Sequence, residues 1–135
     1  MQYTKCKDYK YQLQETQTFD LHSEFPNVKG FDWISIKDNK ITIQKGYTWD
    51  GCSGPTIDTK NSMVAGLVHD CLYQLMRLKK LDISYRPQAD KEFYLILREH
   101  KMNPIRAKIW YLSVKLFAKS SATKLQSKEK IIYTA

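Results

Sequence analysis

The apolar residues of this chain change their spacing near residue 58, and that change restricts the fold more than any other feature of the sequence. Ahead of it, Tyr9 to Leu13 and Thr16 to Leu21 carry aromatic and β-branched residues. Trp33-Ile34-Ser35-Ile36 and Ile41-Thr42-Ile43 flank the turn Lys37-Asp38-Asn39-Lys40, a hairpin pattern. His22 to Gly30, broken by Pro26 and Gly30, reads as a loop. Beyond the Asp58-Thr59 cap signal, Val64, Val68, Cys71, Leu72 and Leu75 recur at the helical spacing of about 3.6 residues, predicting a helix to about Lys80. Residues 81–86 then link to a second helix opened by Pro87, carrying Phe93, Leu95, Ile96 and Leu97 and ending near His100. Asn103 and Pro104 supply the N-cap and first turn of a third. There Ile105, Ile109, Leu112 and Leu116 form one stripe, widened by Trp110, Val114 and Phe117, and core packing is its expected use. The two spacings in succession predict an α+β fold, a small antiparallel β-rich N-terminal half packed on three C-terminal helices.

A length of 135 residues suits one domain. Residues 1–57 would form the β-rich half, including a glycine loop at 46–56. Residues 58–120 would form the helices, and 121–135 an appendage where the apolar stripe gives way to Ser, Thr and Lys. With 42% apolar and 27% charged residues, a disordered chain is excluded. No apolar run approaches the ~20 residues of a membrane span, and the N-terminus lacks the apolar core of a secretory signal, so a cytosolic origin is expected. Three cysteines, Cys6, Cys52 and Cys71, cannot all pair within the chain, and none belongs to a Cys-x-x-Cys set. The net charge of +8 is one-sided. Residues 1–60 balance eight Lys against eight acids, whereas residues 61–135 hold 14 Lys or Arg against six. Such a field favours an anionic partner, and no motif for sequence-specific nucleic-acid recognition accompanies it.

The chemistry concentrates between residues 46 and 93. Gly46 to Thr56 is a turn-rich loop in which Gly51 and Gly54 permit positive φ and close backbone approach, so that carbonyls can face a cation. The first helix then carries His69-Asp70 and, one turn beyond His69 on the same face, Tyr73; Asp90 lies near the start of the second helix. His69 suits a neutral-pH base whose tautomer a carboxylate such as Asp90 would fix. Asp70, about 100° round the helix, suits a hard cation shared with loop oxygens, which would polarise an ester carbonyl while His69 activates water. If the two helices formed a symmetric hairpin, Asp90 would face Arg77, ~12 Å from His69. Contact requires the linker to run back along the first helix, and six extended residues reach ~20 Å.

The stretch GYTWDGCSGPTIDTKN…LVHDCLYQ…ADKEF resembles a family of small proteins of tailed phages and prophages, catalogued as a domain of unknown function (1353). More distantly, His69-Asp70-x-x-Tyr73 followed by Ala89-Asp90 is similar to the phospholipase A2 superfamily. That resemblance implies His69 as base, Asp90 as its partner and Tyr73 bonding Asp90. It also implies Asp70 as a Ca²⁺ ligand beside carbonyls of the Tyr47–Gly54 loop, with Tyr47, Gly51 and Gly54 as contributors. The implied activity is hydrolysis of a glycerophospholipid ester, in the host cytoplasm or with the virion. Secreted members flank the His-Asp pair with disulfide cysteines; here Ala65, Gly66 and Leu72 stand nearby and Cys71 is displaced by one.

Three other sites compete. Cys52 with His69 and Asp90 has the composition of a cysteine-hydrolase triad. Cys52, Cys71 and His69 lack any recognised zinc spacing, and a His-Asp phosphohydrolase needs further metal ligands, for which His22 and His100 lie in poor contexts. A non-enzymatic reading uses the third helix: its apolar stripe beside Arg106, Lys108, Lys115 and Lys119 would lie on an anionic phospholipid surface or hold a host or virion protein.

Overall fold

Six strands precede three helices: β1 (Tyr3–Lys5), β2 (Tyr11–Leu13), β3 (Gln17–Asp20), β4 (Ile34–Lys37), β5 (Lys40–Ile43), β6 (Thr48–Trp49), α1 (Lys60–Arg77), α2 (Arg86–Glu99) and α3 (Pro104–Phe117). This computed structural model describes residues 1, 3–5, 11–49 and 60–117. The α+β class follows: two antiparallel three-stranded sheets, ordered β1-β2-β6 and β3-β5-β4, then three packed helices.

The expected hairpin forms with the tightest possible loop. Ile34 pairs with Ile43 and Lys37 with Lys40, leaving only Asp38 and Asn39 at the turn. Both take positive φ, 51° and 58°, as a type I′ turn requires. Asn39 also ties down the preceding loop. Its side-chain amide donates to the Leu21 and Ser23 carbonyls at 3.0 Å, and its oxygen accepts from the Phe25 N–H at 2.9 Å. The period of two puts Ile34, Ile36, Ile41 and Ile43 inward, all buried. Gly30 is demanded by close approach: at φ 71°, a Cβ there would fall 1.9 Å from the Ile34 carbonyl oxygen.

α1 is the central element. From Met63 to Met76 only Val64 and Asp70 reach even intermediate exposure. It is covered by the sheets and by α2, and Ile36, Ile41, Leu72 and Leu97 belong to one apolar cluster. α1 ends earlier than the expected Lys80, in a Schellman motif. Lys79 takes φ 59°, the Lys80 N–H donates to the Leu75 carbonyl at 2.9 Å, and the Lys79 N–H donates to the Met76 carbonyl at 3.0 Å. This turns the chain back immediately. Part of the expected linker is a 3-10 turn, Ile83–Tyr85, and α2 starts at Arg86, one residue ahead of Pro87. α2 ends in the same motif, with Lys101 at φ 69° and the Met102 N–H on the Leu97 carbonyl at 3.0 Å. Asn103 caps α3, its oxygen accepting from the Ile105 N–H at 2.9 Å.

One expectation is overturned. Ile105, Ile109, Leu112 and Leu116 do not pack in the core; they are exposed, and Ala107, Trp110 and Val114 are buried instead. α3 is apolar on two opposite faces, and helical spacing alone does not say which of them turns inward.

Candidate functional site

His69 and Tyr73 lie one turn apart on the face of α1 that meets α2. Both are buried because α1 is enclosed. The early turn after Arg77 brings Asp90, in the second turn of α2, level with them. His69 Nε2 lies 2.8 Å from Asp90 Oδ1, and the Tyr73 hydroxyl donates to that same oxygen at 2.5 Å. The linker therefore does run back along α1, and the ~12 Å separation of a symmetric hairpin does not arise.

A carboxylate can only accept, so Nε2 carries the proton in this bond and the lone pair falls to Nδ1. Among the described residues Nδ1 makes no hydrogen bond. The imidazole is packed between aromatic rings, with centroids 4.3 Å from Tyr73 and 5.4 Å from Phe93. Burial, reinforced by the Asp90 carboxylate, pushes the Tyr73 phenol far above its ordinary range, so it stays a hydrogen-bond donor at all ordinary pH. His69 is 2% exposed, which leaves almost none of its ring in contact with solvent.

The expected cation ligands divide. Asp70 lies close enough to Tyr47 and Cys71 for its charge to act on both. Burial first, then the Cys71 and Asp70 charges, raise the Tyr47 phenol; burial first, then Asp70, raises the Cys71 thiol despite the Tyr47 hydrogen bond. Tyr47 itself is engaged in the scaffold: its carbonyl accepts from the Leu13 N–H at 2.9 Å and its hydroxyl donates to Gln74 Oε1 at 2.7 Å. Gly51 and Gly54 lie outside the described residues, as do Cys52 and Lys119. Among the described residues no group of three or more His, Cys, Asp or Glu side chains is placed to hold a metal ion. Cys71 and His69 face opposite sides of α1, the one toward Tyr47 and the other toward α2, which separates two members of the competing zinc set.

A second polar cluster has no counterpart in the sequence expectations. Glu92, fully buried, accepts from the His22 N–H on both oxygens and from the Ser23 N–H, each at 2.9 Å. His22 Nδ1 lies 2.6 Å from the same carboxylate, and His22 Nε2 lies 3.2 Å from Glu99. One signal was present: Glu92 occupies the inward stripe of α2 with Ala89, Phe93 and Ile96, where an acid needs a partner.

The fold and site define a class: an α+β protein with a buried His–Asp–Tyr network bridging two antiparallel helices. The particular family follows from the sequence, since the family described as Protein of unknown function (DUF1353) matches residues 28–114, more than half of the chain. The chain belongs to that family. No curated protein and no solved structure matches it.

Proposed function

We propose that this chain is a phage-encoded, Ca²⁺-dependent hydrolase of phospholipase A2 type that cleaves a glycerophospholipid ester. One observation carries the reading: Asp90 Oδ1 receives both His69 Nε2 and the Tyr73 hydroxyl, leaving Nδ1 as the basic nitrogen. In this reaction Nδ1 takes a proton from water as the water oxygen attacks the ester carbonyl, and the proton then passes to the departing alkoxide. Asp90 stabilises the imidazolium that forms, and Tyr73 holds Asp90 in place. Asp70 with oxygens of the 47–54 loop would hold Ca²⁺, which supplies polarisation of the ester carbonyl. Arg86, one turn before Asp90, has a buried Nη1 with no hydrogen-bond partner among the described residues, and its charge acts on Tyr73; it suits the lipid phosphate. Arg86→Gln should therefore raise KM for an anionic lipid more than it lowers kcat.

A second reading is favoured by a different observation, the 2% exposure of His69. In it the network is a structural cross-tie in a catalytically silent accessory protein, which binds a host or virion protein through its basic helical face. Fatty-acid release from anionic liposomes with Ca²⁺ separates the two. The hydrolase reading expects release by the wild type and a loss of at least ~100-fold in His69→Gln and Asp90→Asn variants that remain folded by circular dichroism. Absence of release by the wild type, or undiminished release by His69→Gln, refutes it.

A further inference from the structure

We propose that the outer face of α3 is a docking ridge for an anionic phospholipid surface. Successive helical residues turn by about 100°, so Ile105, Ile109, Leu112 and Leu116 fall within an arc of about 60°, opposite the buried Ala107 and Val114. Six large apolar side chains are exposed among the described residues, and these are four of them; Ile105 and Leu116 are each 73% exposed. The ridge is bordered by cations on both sides. Lys108 and Lys115 flank one edge, their ammonium groups 5.6 and 5.8 Å from the Tyr111 ring centre, and Arg106 lies on the other, 5.4 Å from that of Trp110. Each aliphatic stem can thus lie along apolar surface while its charge stays at the rim. α3 carries no acid.

Charge and shape select the occupant. A second copy of the chain set face to face would bring Arg106, Lys108 and Lys115 against their own like charges. A convex row of branched side chains offers no groove to a partner's side chain, whereas a fluid lipid boundary deforms around it and presents phosphates to the flanking cations. No described helix is long and apolar enough to cross a membrane, so the mode is lying on the surface. The ridge stands on its own geometry and supplies the proposed hydrolase with the surface on which its substrate resides.

Cosedimentation of the full chain with vesicles, in chelator so that no hydrolysis occurs, tests this. Vesicles containing phosphatidylglycerol should bind the wild type and pure phosphatidylcholine vesicles should not. The double variant Ile109→Glu, Leu112→Glu should lose at least ~10-fold in binding with an unchanged melting temperature, because both positions are exposed. Lys108→Glu with Lys115→Glu should weaken binding and flatten its salt dependence. Where the wild type hydrolyses dispersed short-chain phospholipid, the ridge variant should retain that activity, which separates failure of docking from failure of catalysis. Four outcomes overturn the proposal: no wild-type binding to phosphatidylglycerol vesicles; equal binding by the ridge variant, which would assign attachment to charge alone; a wild-type dimer that the ridge variant dissociates; or a co-purifying protein lost from the ridge variant without any vesicle binding.

Discussion

Glu92 is a carboxylate shut away from water, and the segment His22–Ser23 wraps both of its oxygens in donors. Such a charge is tolerated only because its hydrogen bonds are made. Glu92→Gln preserves the shape but sets an amide against backbone N–H groups, and should cost about 2–4 kcal/mol, read as a lower urea midpoint at unchanged slope. His22 adds a pH dependence. Burial alone would lower its pKa, but the hydrogen bonds and charges of Glu92 and then Glu99 outweigh it, so the folded value is raised. The folded ring thus holds its proton more firmly than the unfolded chain does. Its contribution is complete below about pH 6.5 and fades as pH climbs through the raised folded value. His22→Asn, which keeps a donor toward Glu92 but no charge, should therefore lose more stability relative to wild type at about pH 5.5 than at about pH 8.5; equal losses would refute the linkage. The contrast with His69 explains what was legible. His69 and Tyr73 are neighbours on one helix, so a single distant carboxylate completes their pattern, whereas His22 meets Glu92 across 70 residues from a loop with no periodicity to orient it.

Helix ends show a different economy. Lys79 and Lys101 both occupy the left-handed position of a Schellman turn, which glycine adopts without strain. Lys79→Gly and Lys101→Gly should each raise stability by up to about 1 kcal/mol, measured by thermal or urea unfolding. A loss in either would show that the lysine side chain compensates the backbone strain. These two turns also account for the limits of reading elements from the sequence. Asn103-Pro104 and Pro87 marked helix starts to within a residue, because cap chemistry is local. The end of α1 was overrun toward Lys80, because Lys79 carries no stop signal of the kind glycine gives, whereas α2 stops at Glu99 with His100 as its cap, as expected. On α3 the pattern located a helix but inverted its orientation. With Ile105, Ile109, Leu112 and Leu116 on one side and Ala107, Trp110 and Val114 on the other, both faces are apolar, and it is the second that is buried.

Across the molecule, polar ties join the β-rich half to the helices at separate points: Tyr47 to Gln74, His22 to Glu92, and Gln88 Nε2 to the Glu24 carbonyl at 2.7 Å. Tyr47→Phe removes one tie without altering volume much and strips a buried Gln74 oxygen of a donor, so a loss of about 1–2 kcal/mol in a urea titration is expected. A change within a few tenths of a kcal/mol would mean that Gln74's other contacts suffice. The burial of most of α1 has a kinetic corollary. Deuterium from solvent should reach its amides only when the elements packed against it come apart together, making α1 the slowest-exchanging segment, at a free energy matching that of global unfolding. His69 rides on that helix with only 2% of its surface in solvent, so a reagent that carbethoxylates imidazoles should label it far more slowly than the more open His22.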